Sequence, residues 1–105
     1  MKPKITYWPN GNKRHEEYIV DGKYYRTDGP AITGWHENGQ KRYEAYYVDS
    51  KYHRTDGPAR TGWYYDGQKD YEEYFIQGKQ YIKEDFENSW EYNSYQFDLE
   101  IAESF

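Results

Sequence analysis

Three glutamates recur at a spacing that could align carboxylates for acid–base chemistry. Glu16, Glu44 and Glu72 follow one another at intervals of 28 residues, and paired carboxylates are the catalytic groups of most glycoside hydrolases. Arginines stand two residues before the first two of them, at Arg14 and Arg42. Because side chains two residues apart share one face of a strand, we interpret the glutamates as members of cross-strand ion pairs.

The other candidate catalytic groups form no recognisable set. His15, His36 and His53 occupy unrelated places along the chain and lack the spacing of metal ligands. The absence of cysteine excludes disulfides, thiolate metal sites and thiol nucleophiles. The serines have no nucleophile-elbow context, and the glycines are spaced for turns. We therefore predict no enzyme activity, no catalytic residue, no cofactor and no metal site.

A repeat of 28 residues organises the chain. The phrase Arg-Thr-Asp-Gly-Pro-Ala occurs at 26–31 and again at 54–59. Turn glycines keep the same interval, whereas the first tryptophan is one residue closer to its turn than the other two; these residues are Gly11, Gly39 and Gly67, and Trp8, Trp35 and Trp63. A fixed period of this length predicts an array of small supersecondary units.

The composition predicts one thin folded domain with a small dry interior. Only 35% of the 105 residues are apolar and the mean hydropathy is −1.42, values that by themselves indicate disorder. However, 22% of the residues are aromatic, and 15 of these are tyrosines. A tyrosine ring can be buried while its hydroxyl stays in water, so we expect aromatic packing to stabilise the fold.

Turn signals between alternating segments predict an all-β structure. Asn-Gly or Asp-Gly pairs end at Gly11, Gly39 and Gly67, and such pairs favour type I′ hairpin turns. Weaker versions of the signal follow at Asp21-Gly22, Asp49-Ser50 and Gln77-Gly78. The predicted strands are residues 5–8, 13–20, 23–26, 31–36, 41–48, 51–54, 59–65, 69–76 and 79–82.

The repeated phrase is predicted to form the loops between hairpins. Proline has no N–H for a sheet, and we expect positive φ at Gly29 and Gly57. An aspartate two residues after each arginine predicts an Arg–Asp contact within the loop. We interpret the following loop residues as structural, with ligand contact as the alternative: Arg26, Gly29, Pro30, Arg54, Gly57 and Pro58.

Alternation divides the long strands into two faces. The first carries Arg14, Glu16, Tyr18, Val20, Arg42, Glu44, Tyr46, Val48, Asp70, Glu72, Tyr74 and Ile76. The second carries Lys13, His15, Glu17, Ile19, Lys41, Tyr43, Ala45, Tyr47, Lys69, Tyr71, Glu73 and Phe75. The first face repeats closely and is predicted to provide structural packing. The second face varies, and we predict partner contact through Tyr43, Tyr47, Tyr71 and Phe75.

The C-terminal segment 83–105 differs in kind from residues 1–82. It holds seven acidic side chains and one lysine, a net charge of −6, whereas residues 1–82 have a net charge of +1, so the negative charge of the chain comes from this segment. We predict a short amphipathic helix at 84–91, then a closing strand near 95–101. The simpler interpretation is a cap on the array. The alternative is an acidic docking surface for a basic partner, formed by Trp90, Tyr95, Phe97, Asp98, Glu100 and Glu103.

Two segments resemble a known repeat family. Residues 35–41 and 52–59 are similar to the Asn-Gly-Lys and His-Arg-x-Asp-Gly-Pro-Ala repeats of short phage and large-virus proteins. These repeats are variant relatives of MORN repeats and are also called antitoxin-type repeats. The resemblance covers residues 5–82 and implies about three β-hairpin units, near 5–31, 32–59 and 60–82, in an elongated antiparallel meander with a short helical cap. It implies binding rather than catalysis. The phrase is lost at 81–84, where we expect the array to end.

These observations favour a protein partner over other ligands. An acidic chain lacks the cationic footprint of nucleic-acid binding, and no apolar run has the length of a membrane span. Gly34-Trp35 and the segment 62–65 resemble phrases of choline-binding repeats, so a choline- or carbohydrate-binding module is the alternative of a different class. That alternative is disfavoured by the longer period and by the polar N-terminus, from which we expect a cytoplasmic location.

We expect a monomer or weak homo-oligomer that binds another protein with a basic surface. The sharper expectation is a phage-encoded inhibitor that acts in the host cytoplasm on a defence or nucleic-acid-handling protein by acidic surface mimicry. An antitoxin-like neutraliser and a passive adaptor remain alternatives.

Overall fold

A computed structural model describes residues 2–89 and 91–94. The strands are β1 Lys4–Tyr7, β2 Lys13–Glu17, β3 Ile19–Val20, β4 Lys23–Tyr24, β5 Ile32–Trp35, β6 Lys41–Ala45, β7 Tyr47–Val48, β8 Lys51–Tyr52, β9 Arg60–Trp63, β10 Lys69–Ile76 and β11 Lys79–Tyr81, followed by helix α1 Lys83–Glu87. Strands account for 45% of the structure and helix for 10%, so the prediction of an all-β fold is confirmed.

Seven strands form one antiparallel sheet in the order β1-β2-β5-β6-β9-β10-β11. The pairs β3-β4 and β7-β8 form two small hairpins. Backbone bonds join neighbouring hairpins, from Ser50 N to Tyr24 O at 3.1 Å and from Gly78 N to Tyr52 O at 2.8 Å. The predicted meander of consecutive hairpins is therefore present.

The predicted strands 13–20 and 41–48 are each interrupted at a tyrosine. The Tyr18 N–H donates to Ala31 O at 2.8 Å, while the Tyr18 carbonyl accepts a bond from Tyr25 N at 3.2 Å. Tyr46 makes equivalent bonds with Ala59 and His53. The chain passes from the large sheet into a small hairpin at these two residues, which is why one continuous strand was the wrong prediction there.

The turns at Gly11, Gly39 and Gly67, which we call the first series, differ in type from the prediction, whereas the turns at Gly22, Ser50 and Gly78, the second series, have the predicted type. Gly11 N donates to Trp8 O at 2.9 Å, and only Gly11 in that loop has a positive φ, of 90°. This is a type I turn followed by a left-handed glycine, so the predicted type I′ turn is wrong. Type I′ geometry needs positive φ at both central residues, and it occurs in the other series, as at Asp21 (51°) and Gly22 (77°).

Ser50 holds a left-handed position that glycine holds in the equivalent turns. Its φ is 63°, whereas Gly22 and Gly78 have 77° and 83°. An L-residue in this region is strained by about 1–2 kcal/mol. A glycine at this position would remove the strain, but its greater flexibility in the unfolded chain would offset part of that gain in stability. We expect Ser50→Gly to raise the free energy of unfolding by about 0.5–1 kcal/mol in urea titrations. Ser50→Ala is the control, and an equal gain with alanine would contradict the explanation.

Gly29 and Gly57 do not have the positive φ that the sequence predicted. Their role is to leave space, because a Cβ on Gly29 would lie 3.0 Å from Arg26 Cζ and a Cβ on Gly57 would lie 3.0 Å from Arg54 Cζ. Each guanidinium therefore packs directly against a glycine backbone.

Side chains in the first series of turns connect successive hairpins. Trp8 Nε1 donates to Trp35 O at 3.0 Å, and His36 Nε2 donates to Trp63 O at 3.0 Å. Asn10 and Asn38 donate in the same way to carbonyls 27 residues ahead, at 2.8 and 2.9 Å. Trp8 is thus the counterpart of His36, which explains why it is one residue out of step with the other tryptophans.

The buried apolar core is small, as the composition predicts. Ala31 and Ala59 are fully buried. The main cluster lies beside α1, where Phe86 is 1% exposed and contacts Tyr74 and Ile76.

The predicted helix 84–91 is too long at its C-terminal end. Helix α1 ends at Glu87, and the helical turn at 91–94 is separate from it. The Ser89 hydroxyl accepts the Tyr92 N–H at 3.2 Å, which is the role of an N-cap that starts a new turn. The predicted closing strand near 95–101 lies outside the described residues.

Candidate functional site

On one face of the sheet, glutamates and lysines of the same strands form ion pairs with one another. We call it the glutamate–threonine face, because a row crosses it through Glu16, Thr33, Glu44, Thr61 and Glu72. Thr33 and Thr61 are buried.

Lysines neutralise the glutamates of this row. The ammonium groups lie 3.0, 2.9 and 3.2 Å from the carboxylates in the pairs Lys13–Glu16, Lys41–Glu44 and Lys69–Glu72. The prediction of cross-strand pairs with Arg14 and Arg42 was wrong: each lysine lies on the same strand as its glutamate. An irregularity in the register beside the lysines shifts the alternation of side chains and brings each lysine to the face of the glutamates. The glutamates are thus held in salt bridges and are not arranged as a catalytic pair.

The predicted Arg–Asp contacts are present in both loops on this side. Arg26 lies over the Tyr18 ring at 4.2 Å, and Arg54 lies over the Tyr46 ring at 4.1 Å. The Nε atoms donate to Asp28 at 2.8 Å and Asp56 at 2.6 Å, and Nη1 atoms donate to the carbonyls of Pro30 and Pro58 at 3.1 Å. The hydrogen bond from Arg26 lowers the pKa of Asp28. These contacts favour the structural interpretation of the loops.

The opposite side carries a cluster of aromatic rings, which we call the tyrosine face: Tyr43, Tyr47, Tyr52, Tyr71 and Phe75. Ring centroids are 4.5 Å apart for Tyr47–Tyr52 and 4.9 Å apart for Tyr52–Phe75. Arg60 lies 5.1 Å from the Tyr52 ring and 5.6 Å from the Tyr71 ring, so it connects the two parts of the cluster. A shallow depression of about 250 Å³ lies between these parts.

Tyr43 and Tyr71 lie over glycines of the adjacent strand. They are paired with Gly34 and Gly62, and a Cβ on either glycine would overlap the tyrosine ring. The Tyr43 hydroxyl is also hydrogen-bonded to His15 Nδ1 at 2.7 Å. The rings are therefore fixed against the sheet.

The structure brings together the four predicted contact residues of the second face, Tyr43, Tyr47, Tyr71 and Phe75. Sequence reasoning missed Tyr52 and Arg60. Tyr52 lies in a two-residue strand whose face could not be assigned by alternation, and Arg60 replaces the apolar Ile32 of the preceding unit. The remaining predicted contact residues lie outside the described residues; they are Trp90, Tyr95, Phe97, Asp98, Glu100 and Glu103.

Burial of the tyrosines predicts a loss of stability at alkaline pH. Burial raises the pKa of Tyr43 and Tyr47, and a hydrogen bond to Tyr52 further raises the pKa of Tyr47. Above pH of about 10, where free tyrosine ionises, the unfolded chain loses protons that the folded chain keeps, so stability falls as pH rises. We expect urea midpoints to be flat near pH 9 and to fall above pH 10. Tyr47→Phe should reduce the fall, and an unchanged midpoint up to pH 11 would contradict this explanation.

The tryptophans at the first turns already have cations over their rings. Arg14 lies 4.7 Å from the Trp8 ring centroid, and Lys13 lies 5.5 Å from that of Trp35. Lys41 takes the same position over Trp63 at 6.0 Å. A quaternary ammonium ligand would have to displace these cations, which counts against choline binding at the three rings.

Comparison of the chain with protein-family models, curated proteins and solved structures gives no match. Among residues 2–89 and 91–94, no group of three or more metal-ligating side chains is arranged around a common point. In the same part of the chain, no helix is both long and apolar enough to cross a membrane.

Proposed function

We propose that the protein is a non-catalytic binding module whose tyrosine face docks on another protein. The observation that carries this proposal is the aromatic cluster on one side of the sheet, in which the rings of Tyr47, Tyr52 and Phe75 contact one another and Arg60 connects Tyr52 to Tyr71. Tyrosine and arginine are enriched among the residues that contribute most to protein–protein binding. The glutamate–threonine face, by contrast, satisfies its charges internally.

The proposed biological role is inhibition of a partner with a basic surface. Support comes from the resemblance to phage repeat proteins and from the concentration of negative charge in residues 83–105. Carboxylates on this segment would speed and orient association with a basic site, such as a nucleic-acid-binding groove. A phage-encoded inhibitor acting in the host cytoplasm is the first choice, and an antitoxin-like neutraliser or an adaptor is the second.

Capture from bacterial lysate tests the docking face. We expect the tagged chain to retain a protein partner that mass spectrometry identifies, and the variant Tyr47→Thr/Phe75→Thr to lose it. Tyr7→Thr is the matched control, because Tyr7 is 58% exposed and lies on β1 away from the cluster. Threonine keeps the strand preference, and circular dichroism verifies folding. If Tyr47→Thr/Phe75→Thr and Tyr7→Thr captured equal amounts of the partner, the proposal would be wrong.

The acidic segment is tested by association kinetics with the captured partner. Replacing Asp98, Glu100 and Glu103 by their amides should slow association and weaken its salt dependence. An unchanged rate and salt dependence would assign recognition to the tyrosine face alone. Saturable choline or glycan binding without a protein partner would replace the proposal with the carbohydrate alternative.

A further inference from the structure

Two similar aromatic platforms lie side by side on the tyrosine face. Tyr43 lies over Gly34, and Tyr71 lies over Gly62. Both rings remain accessible: Tyr71 is 36% exposed, and Tyr43 lines the depressions on both sides of it. Because each ring rests on a residue without a side chain, it is held close to the sheet and can support a flat apolar group.

The distance between the platforms matches a common polypeptide repeat. Tyr43 lies in β6 and Tyr71 in β10, with β9 between them. Neighbouring strands are about 4.8 Å apart, so equivalent positions two strands apart are separated by about 9.6 Å. A polyproline II helix has three residues per turn and rises about 3.1 Å per residue, so every third residue recurs after about 9.3 Å.

Arg42 offers free hydrogen-bond donors beside the platforms. Two depressions of about 410 and 400 Å³ flank Tyr43 and share Arg42 in their lining. Glu17 is hydrogen-bonded to His15 and Glu73 is ion-paired with Arg60, whereas Arg42 makes no ion pair within the described residues. Guanidinium groups donate and accept nothing. A prolyl segment offers carbonyl acceptors and no N–H, so its carbonyls can accept the hydrogen bonds that Arg42 donates.

We propose that the tyrosine face recognises a proline-rich segment of its partner in the polyproline II conformation. The segment crosses the strands from β6 to β10, with prolines three residues apart on Tyr43 and Tyr71 and with Arg42 donating to the carbonyls between them. Docking of such segments on aromatic grooves is an established mode of peptide recognition. This inference rests on the proposed protein-binding function and adds the chemical class of the bound segment.

Fluorescence anisotropy with labelled ten-residue peptides tests the spacing. The probes are decaproline, an alanine peptide with proline at every third residue, an alanine peptide with proline at every second residue, and a Gly-Ser peptide. We expect the first two to bind the full chain saturably and the last two to bind at least about fivefold more weakly. Equal affinity for the every-third and every-second peptides would overturn the spacing argument.

Variants on adjacent residues test the platform. Tyr71→Thr should weaken decaproline binding about tenfold and Arg42→Gln about threefold. Lys41→Gln is the matched control: it removes the same charge from the neighbouring residue, whose ammonium group pairs with Glu44 on the opposite face. Circular dichroism verifies that each variant is folded. A loss with Lys41→Gln as large as that with Arg42→Gln would overturn the assignment of the donors.

Two further outcomes separate this inference from the proposed function. If the lysate partner depends on the tyrosine face but decaproline neither binds nor displaces it, the inference fails and the protein-binding function stands. If neither Tyr71→Thr nor the Tyr47→Thr/Phe75→Thr variant affects partner capture, the proposed function fails as well. Binding of a chito-oligosaccharide that Tyr71→Thr abolishes, without decaproline binding, would assign the platforms to a glycan.

Discussion

Phe86→Ala is expected to cost about 3–5 kcal/mol of stability, the usual range for deleting a buried phenylalanine ring. Phe86 is 1% exposed, and its ring centroid lies 4.8 Å from that of Tyr74 and 5.3 Å from that of Tyr92. A chain of this size has roughly 5–15 kcal/mol of stability in total. Urea unfolding monitored by tyrosine fluorescence should therefore show a large fall in the midpoint.

Hydrogen exchange shows where this stability is lost. Units of a repeat array contact their neighbours only, so a defect at one end need not unfold the other. In Phe86→Ala, amide protection should fall most in β10 and β11 and least in β1 and β2. Ile82→Ala is the control, because Ile82 is 66% exposed and its loss should change little. A uniform loss of protection in Phe86→Ala would show that the whole chain unfolds as one unit.

Gly62→Val is expected to destabilise the protein by about 1–3 kcal/mol, the range for overpacking, even though valine is a better strand residue than glycine. The added side chain would overlap the Tyr71 ring, which lies where a Cβ would be. The ring must then leave the sheet, so partner binding through the tyrosine face should weaken together with stability.

A second substitution separates this clash from other effects of valine. In Gly62→Val/Tyr71→Thr the overlapping ring is absent, so we expect a higher urea midpoint than in Gly62→Val alone, with partner binding still weak. Non-additivity of this kind is the mark of residues in direct contact. If the double variant were less stable than Gly62→Val, the overlap would not be the cause.

The sequence was sufficient to place the hairpins but not the contacts between them. Turn residues located the strands because Gly11 and Gly22 each mark a reversal of the chain, although the type I′ turn predicted at Gly11 is a type I turn followed by a left-handed glycine. The reason is that turn type depends on how the flanking strands pair: the hairpin at Gly11 contains an irregular register at Thr6 and Tyr7, and a local dipeptide does not encode this.

The site was predictable where side chains simply alternate along a strand. Tyr71 and Phe75 were assigned to one face because β10 is continuous. The equivalence of Trp8 and His36 was not predictable, because the two residues share little except a ring N–H at the same position. The function of Gly34 was equally hidden, since it depends on a tyrosine nine residues away that lies on the adjacent strand.

The third turn of the first series, at Gly67, has an aspartate, Asp66, where the two earlier turns of that series have Asn10 and Asn38. Both asparagines donate from Nδ2 to a carbonyl of the next hairpin, and an ionised carboxylate has no proton to donate. Duplication of residues 32–59 would therefore keep this bond at each new junction, because those residues accept it at Glu37 O and donate it from Asn38. A hairpin added beyond Asp66 would lack it.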